Sequence, residues 1–237
     1  MSKRLAHVLS LTGLMLLASA SVRCVSVSPG VAVELIFAAP PHYEPEGPVV
    51  SSAAAFLVAA TLVPCEEAPR ASWRSFGIVV AHAHTDSTSA RTWLGGQRVD
   101  AMSAAGTPLG LLSPPARSYC ELEVTFAPDE TAETDPREDP MVGRSLGVEG
   151  SYENADGSIT AFAVRTSRER VELIPFDAPL VLDDARDLAR ITVSFDAAAW
   201  AENMNFEAAS ASERRAALLD ELHAYLAATV EMREQER

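Results

Sequence analysis

From residue 31 onward, apolar and polar positions alternate in short runs broken by proline and glycine, a pattern of strands rather than helices. Val31, Val33, Leu35 and Phe37 alternate with smaller or polar neighbours and predict a half-buried strand. Residues 56–63 (FLVAATLV) form a continuous apolar run that suits a central strand. Runs at 75–84 and 119–126 follow. In the second, Glu121 and Glu123 fall on one face while Cys120, Leu122, Val124 and Phe126 fall on the other. A hairpin is clearest over 145–166, where two alternating runs flank Asn154-Ala-Asp156-Gly157, and Asp-Gly is a favoured hairpin turn. Further strands are expected at 171–174, 180–182 and 190–195. Pro40, Pro41, Pro64, Pro114, Pro115, Pro175 and Pro179 punctuate the junctions.

The period changes near the C-terminus. Ser210 and Glu213 stand at capping-box spacing, and Leu218, Leu219, Leu222, Tyr225, Leu226 and Val230 recur at helical intervals. Arg214, Arg215, Asp220, Glu221 and Glu231 occupy the opposite face. A helix over about 211–233, laid against a sheet, is predicted. The expected fold is mainly β: an Ig-like or transthyretin-like sandwich with one C-terminal α-helix, in a single domain over 31–237. Residues 128–140 (PDETAETDPREDP) read as a solvated acidic loop, and no internal repeat is present.

The first residues read as targeting rather than fold. Lys3 and Arg4 precede an apolar stretch from Leu5 to Leu17, and Ala18-Ser19-Ala20 supplies the small residues a signal peptidase requires. Residues 1–20 are therefore expected to be a signal peptide and 21–30 a linker. Cys24 stands where a lipoprotein carries its acylated cysteine, which would extend the leader to residue 23, although Arg23 replaces the usual small residue. No later apolar stretch reaches the roughly 20 residues of a membrane span, so no transmembrane helix is expected in the mature chain. Periplasm, outer-membrane surface or extracellular medium is the expected location.

Composition narrows the functional classes. The chain has 237 residues with 33 acidic and 19 basic side chains, a net charge of −14. That charge opposes nucleic-acid binding, which needs a basic surface. Lys3 is the only lysine, so P-loop, Schiff-base and Ser-Lys chemistries have no residue to use beyond the leader. Export makes Cys65 and Cys120 available for one disulfide, with two unpaired buried thiols as the alternative. Closing a loop of about 55 residues would stabilise the fold by about 3–4 kcal/mol. No Cys-x-x-Cys or Cys/His zinc-finger spacing exists.

His82-Ala83-His84 is the most suggestive chemistry. In a strand, residues two apart share a face, so both imidazoles would project together, as copper or zinc binding requires. Asp86, His42 and Met141 are candidate further ligands; the competing interpretation is an unliganded pair at a strand end. Gly143-Arg-Ser145-Leu-Gly147 matches G-x-S-x-G, with Asp183, Asp184 or Asp187 and then His223 in hydrolase order. An acidic, proline-bearing loop before Ser145 and a hairpin after it oppose the strand–turn–helix that a nucleophile elbow needs. The acids of 128–140 lack the calcium-loop register. Trp73, Trp93 and Trp200 are expected to be core or turn anchors rather than a carbohydrate platform.

Several stretches together carry a resemblance: Leu62-Val-Pro-Cys65, Ala81-His-Ala-His84, 111–124 (LLSPPARSYCELEV), Met141-Val-Gly-Arg-Ser-Leu146 and Ala199-Trp200-Ala-Glu-Asn-Met-Asn-Phe206. In this order they resemble secreted proteins and lipoproteins of myxobacteria, similar in architecture to the MbnP-like sandwich proteins of the bacterial envelope, some of which are associated with copper handling. The resemblance covers about residues 31–230 and contains no catalytic signature. It implies a β-sandwich with Cys65 and Cys120 bonded and a non-enzymatic binding role, with a metal-related role carried only onto His82 and His84. Ala201-Glu202-Asn203 departs from the aromatic and acidic run that follows the tryptophan in that family. The function expected from the sequence is an exported or surface-anchored envelope protein that binds a transition metal, copper or zinc, or else a structural protein that contacts another envelope protein. A serine hydrolase at Ser145 ranks third.

Overall fold

The computed structural model describes residues 32–40, 47–67, 90–129, 139–183, 188–207 and 209–233. These residues form a mainly β protein of two sheets around one hydrophobic core. In chain order the strands are β1 (Ala32–Ala38), β2 (Val49–Pro64), β3 (Thr92–Asp100), β4 (Thr107–Leu112), β5 (Ser118–Phe126), β6 (Leu146–Glu153), β7 (Ile159–Thr166), β8 (Arg170–Val181) and β9 (Leu188–Phe195). Helices α1 (Ala197–Glu202), α2 (Ala211–Asp220) and α3 (Leu222–Tyr225) follow, and strand β10 (Leu226–Arg233) ends the order. None of the described helices is long and apolar enough to cross a membrane.

The smaller sheet runs β10-β9-β1-β4. β1 and β9 are parallel and the other pairs antiparallel. Val33, Leu35 and Phe37 of β1 and Ile191 and Val193 of β9 are fully buried on its inner face. On the outer face Glu34 and Arg190 stand side by side in the register and form an ion pair at 2.7 Å.

The larger sheet is built on β2, which is longer than its apolar run alone suggested. One edge of β2 carries β3 over Ala54–Thr61. The other carries β6 over Val49–Ala55 and then β5 over Leu57–Pro64. Phe56 is the handover: its N–H donates to the Ser145 carbonyl at 2.8 Å, and its own carbonyl accepts from Ala127 at 3.2 Å. The sheet therefore forks, with β7 beyond β6 on one arm and β8 beyond β5 on the other.

Two strands, β3 and β4, have weak sequence signals, and their packing explains why. The inner positions of β3 are Trp93, Gly95, Gln97 and Val99, so glycine and glutamine dilute the apolar alternation. A Cβ on Gly95 would lie 2.6 Å from the Trp93 ring, and one on Gly110 of β4 would lie 2.9 Å from it. The two glycines thus make a flat bed for the indole where β3 of one sheet meets β4 of the other. The Gln97 side-chain amide closes the same corner on the Pro108 carbonyl at 3.2 Å.

The hairpin expected over 145–166 is present, and its Asn154–Gly157 turn places Gly157 at φ +81°. The two short strands expected at 171–174 and 180–182 are one strand, β8, with Pro175 and Pro179 inside it. The strand expected at 75–84 lies outside the described residues.

The C-terminal helix expected over 211–233 is corrected. Its first part is real, and the capping box is present: Ser210 Oγ accepts from the Glu213 N–H and the Glu213 carboxylate from the Ser210 N–H. After Tyr225 the chain becomes β10, paired along its length with β9. Leu226 and Ala228 are buried while Ala227 and Thr229 are exposed, which is a two-residue period. Leu226 and Val230 satisfy helical and strand spacing equally, and the open edge of β9 decides between them. α1 is also additional; Asp196 caps it by accepting from the Ala199 N–H at 2.9 Å, and it delivers Trp200 into the core.

Gly110→Ala is expected to unseat Trp93 and destabilise the fold by about 1–3 kcal/mol, as overpacking does. Urea denaturation measures this, and an unchanged midpoint would show that the indole does not rest on Gly110.

Candidate functional site

The end of the larger sheet where β2 stops is held by a covalent bond as well as by its ladder. Pro64 pairs with Tyr119, and the Cys65 N–H donates to the Ser118 carbonyl at 3.1 Å. That pairing brings Cys65 and Cys120 within 4.7 Å at Cα, and they are disulfide-bonded. The β5–β8 register shifts between Tyr119 and Glu121, so the disulfide sits at an irregularity of the ladder.

Charge surrounds this cross-link. Glu66 pairs with Arg117 at 3.3 Å and Glu67 with Arg91 at 3.2 Å. Between them Tyr119 is fully buried and donates its phenol to the Pro115 carbonyl at 3.0 Å. Burial pushes the Tyr119 phenol above its ordinary range, opposed by Arg117 and Arg91 and assisted by Glu66 and Glu67. The two exposed ion pairs contribute little stability each; what they fix is position. Leu62 donates to the Arg91 carbonyl at 2.9 Å and Ser113 to that of Ala90 at 3.1 Å.

His82, His84 and Asp86 lie outside the described residues, as do His42, Trp73 and Cys24. Glu67 and Ala90, the described residues flanking the segment that carries the two histidines, are both at the disulfide end. Met141 is described and buried, with its sulfur over Gly147, 2.6 Å from where a Cβ would be. Among the described residues no group of three His, Cys, Asp or Glu is placed to hold a metal ion. Trp200 and Trp93 are anchors as expected. Trp200 is fully buried edge-on to Phe206, which also stacks on Phe162 with centroids 4.2 Å apart.

On the outer face, Phe56, Arg98, Asp129, Asp139, Met141 and Val142 line a small depression. Arg98 pairs with Asp139 across it at 2.5 Å. The Met141 N–H, at 2.9 Å, and then Arg98 hold the Asp139 carboxyl below its ordinary range. Asp139 is thereby committed to its own neighbours. The acids at 130–138 lie outside the described residues.

Ser145 is fully buried, and every polar group it has is used within the fold. Its N–H donates to the Thr166 carbonyl at 2.8 Å, and its carbonyl accepts from Phe56. Its hydroxyl faces the carbonyls of Arg168 at 2.7 Å and Thr166 at 3.2 Å. A turn precedes it and β6 follows, so the strand–turn–helix of a nucleophile elbow is not formed. His223 is exposed on α3; Asp183 follows β8, and Asp184 and Asp187 lie outside the described residues. Ser145 fills the fork of the larger sheet.

The alternation in β5 placed Glu121 and Glu123 together on a polar face, without signalling that one of them loses water. Glu121 Oε2 is buried with no hydrogen-bond partner, and desolvation raises the Glu121 pKa above its ordinary value. Its ladder neighbours are Val63 and Pro175, and proline has no N–H to offer. Trp200 Nε1 is the other buried side-chain atom without a partner among the described residues.

No protein family, curated protein or solved structure matches this chain.

Ser145→Ala is expected to destabilise the fold by about 1 kcal/mol, because the Arg168 carbonyl loses its hydroxyl donor while the Thr166 carbonyl keeps the backbone N–H of residue 145. Denaturant titration measures it, and a neutral substitution would remove Ser145 from the fork. For Glu121 the sign is reversed from that of a salt-bridged acid. Its folded pKa lies above the ordinary 4.5, so its contribution is fully present below that value and is lost as pH rises through the folded pKa. Glu121→Gln should therefore be more stable than the parent at neutral pH and should lack that loss above about pH 4.5. Thermal melts across pH 4–8 test this, and parallel curves for the two proteins would refute it.

Proposed function

We propose that the chain is an exported or surface-anchored envelope binding protein, non-enzymatic, that takes up copper or zinc through His82 and His84, with Asp86 as a further ligand. The observation that carries this proposal is the His82-Ala83-His84 spacing, in a segment whose described flanks are tied together. Cys65 is covalently fixed just before that segment, and the Glu67–Arg91 pair joins its two flanks. The leader-like residues 1–20 and the disulfide both accord with export, and Cys24 supplies the proposed lipid anchor. Two sheets around one core are the coarse architecture; the Ig-like or transthyretin-like sandwich type and the MbnP-like resemblance belong to the proposal. The partner is a metal ion or another envelope protein; nucleic acid is disfavoured by charge.

The second reading, a structural envelope protein that contacts a partner and binds no metal, is favoured by exposed apolar side chains. Ile159 is 77 % and Leu111 68 % exposed.

Calorimetric titration of the purified protein with Cu(II) and Zn(II) separates the two. The first predicts tight binding of one metal, with affinity falling by more than about 100-fold in the His82→Ala, His84→Ala double variant, since even indirect ligand supports are worth roughly 10–100-fold. Equal affinity in that variant would refute the histidine site. No uptake, together with no metal in protein isolated from its native envelope, would favour the second reading.

A further inference from the structure

The edge strands of the two sheets are not protected alike. β4 carries Pro108 and faces β3 at the Trp93 corner. β8 carries Pro175 and Pro179 and a register shift, and β10 lies against it. These are the usual devices that stop a sheet edge from recruiting another strand. β7 has neither a proline nor a register shift, although α2 packs against it. Its sequence, ITAFAVRT, contains no proline, and its pairing with β6 runs unbroken over eight residue pairs.

The ladder also fixes which groups face outward. The Asn154 N–H donates to the Ser158 carbonyl, and hydrogen-bonded pairs alternate from there in an antiparallel hairpin. Thr160, Phe162, Val164 and Thr166 thus bond back to β6. Ile159, Ala161, Ala163 and Arg165 point their N–H and C=O groups away from it. Among the described residues no strand pairs with that edge. The side chains along it are small or apolar up to Arg165, which is paired with Glu149 on β6.

Charge at the two ends of β7 selects the occupant. At the hairpin tip stand Glu153, Asp156 and Glu207, the last accepting from the Ala155 N–H at 2.9 Å. The Ser158 hydroxyl and N–H hold the Asp156 carboxyl below its ordinary range. At the other end Arg165 and Arg170 are paired with Glu149 and Glu172, which leaves Arg144 and Arg168 against Glu169. One end is net acidic and the other net basic. A strand of that polarity complements itself when it is laid antiparallel.

We propose that β7 is the contact of a two-fold dimer in which the strands of two copies pair antiparallel about Phe162, joining two larger sheets into one. Ala161 then pairs with Ala163 of the second copy, and Ile159 with its Arg165, giving roughly eight inter-chain hydrogen bonds. The acidic tip of each copy lies beside the basic end of the other.

Sedimentation equilibrium over a concentration series at low and high NaCl tests this, using the wild-type chain and the variants Ala161→Pro and Ala163→Lys. The Ala161 N–H bonds nothing in β6, so proline there spares the hairpin ladder, and lysine at 163 places a charge on the rim. Circular dichroism confirms that each variant is folded; if one is not, the other decides. The expected result is a mass rising with concentration toward twice the monomer, weakened by salt, with the dissociation constant raised at least about tenfold in each folded variant. Backbone amides at 159, 161, 163 and 165 should gain hydrogen-exchange protection with concentration. A wild-type chain that stays monomeric up to about 1 mM, or a dimer unaffected in both variants, would overturn the proposal. So would a monomeric chain whose β7 amides become protected only on addition of envelope extract, which would assign the edge to a foreign strand.

Discussion

The obligation to satisfy buried backbone groups along β2 organises the larger sheet. A strand offers two rows of N–H and C=O groups, and in the core each must find a partner. β3 satisfies one row; the other is divided between β6 and β5, because neither covers its whole length. At Phe56, where one neighbour ends before the next begins, single bonds from outside the strands, to Ser145 and from Ala127, bridge the interval. Ser145 is buried because the fork it fills would otherwise expose carbonyls to an apolar interior. The feature that looked most catalytic in the sequence is a consequence of this splitting.

A second regularity is the seating of bulky side chains on glycine. Trp93 rests on Gly95 and Gly110, Phe56 on Gly96, Phe162 against Gly150 and Met141 over Gly147. Each pairing lets a large side chain lie flat on a strand, so that the two sheets meet at the Trp93 corner and Met141 covers the outer face. Glycine costs a strand entropy and packing; the buried area of the residue above it offsets that loss. The arrangement also hides strands from a reader of sequence, since the apolar bulk belongs to one position and the space to another.

The legible part of the chain was therefore the part in which each strand announces itself. β1, β5, the β6–β7 hairpin and β9 carry their own alternation, and the Cys65–Cys120 pairing followed from cysteine usage. β3 and β4 were illegible because glycine and proline read locally as turns while they serve contacts made across the sheets. β10 was misread because its apolar residues fit two periods and only the free edge of β9 distinguishes them. For the site, the residue types of His82 and His84 were legible. The Glu67–Arg91 tie between the flanks of their segment was not, because it depends on two strands meeting 24 residues apart.

The disulfide end combines a covalent constraint with a side chain that has lost part of its hydration. Glu121, next to Cys120, has a buried oxygen with no partner, and an unsatisfied buried polar group costs about 1–3 kcal/mol, more when charged. The adjacent cross-link, closing 55 residues, contributes about 3–4 kcal/mol by restricting the unfolded chain. The cross-link outweighs the desolvation while it is intact, and the margin is of the same order as the cost. Reduction would free the unfolded chain and lower global stability by about that 3–4 kcal/mol, leaving the cost of burying Glu121 unchanged.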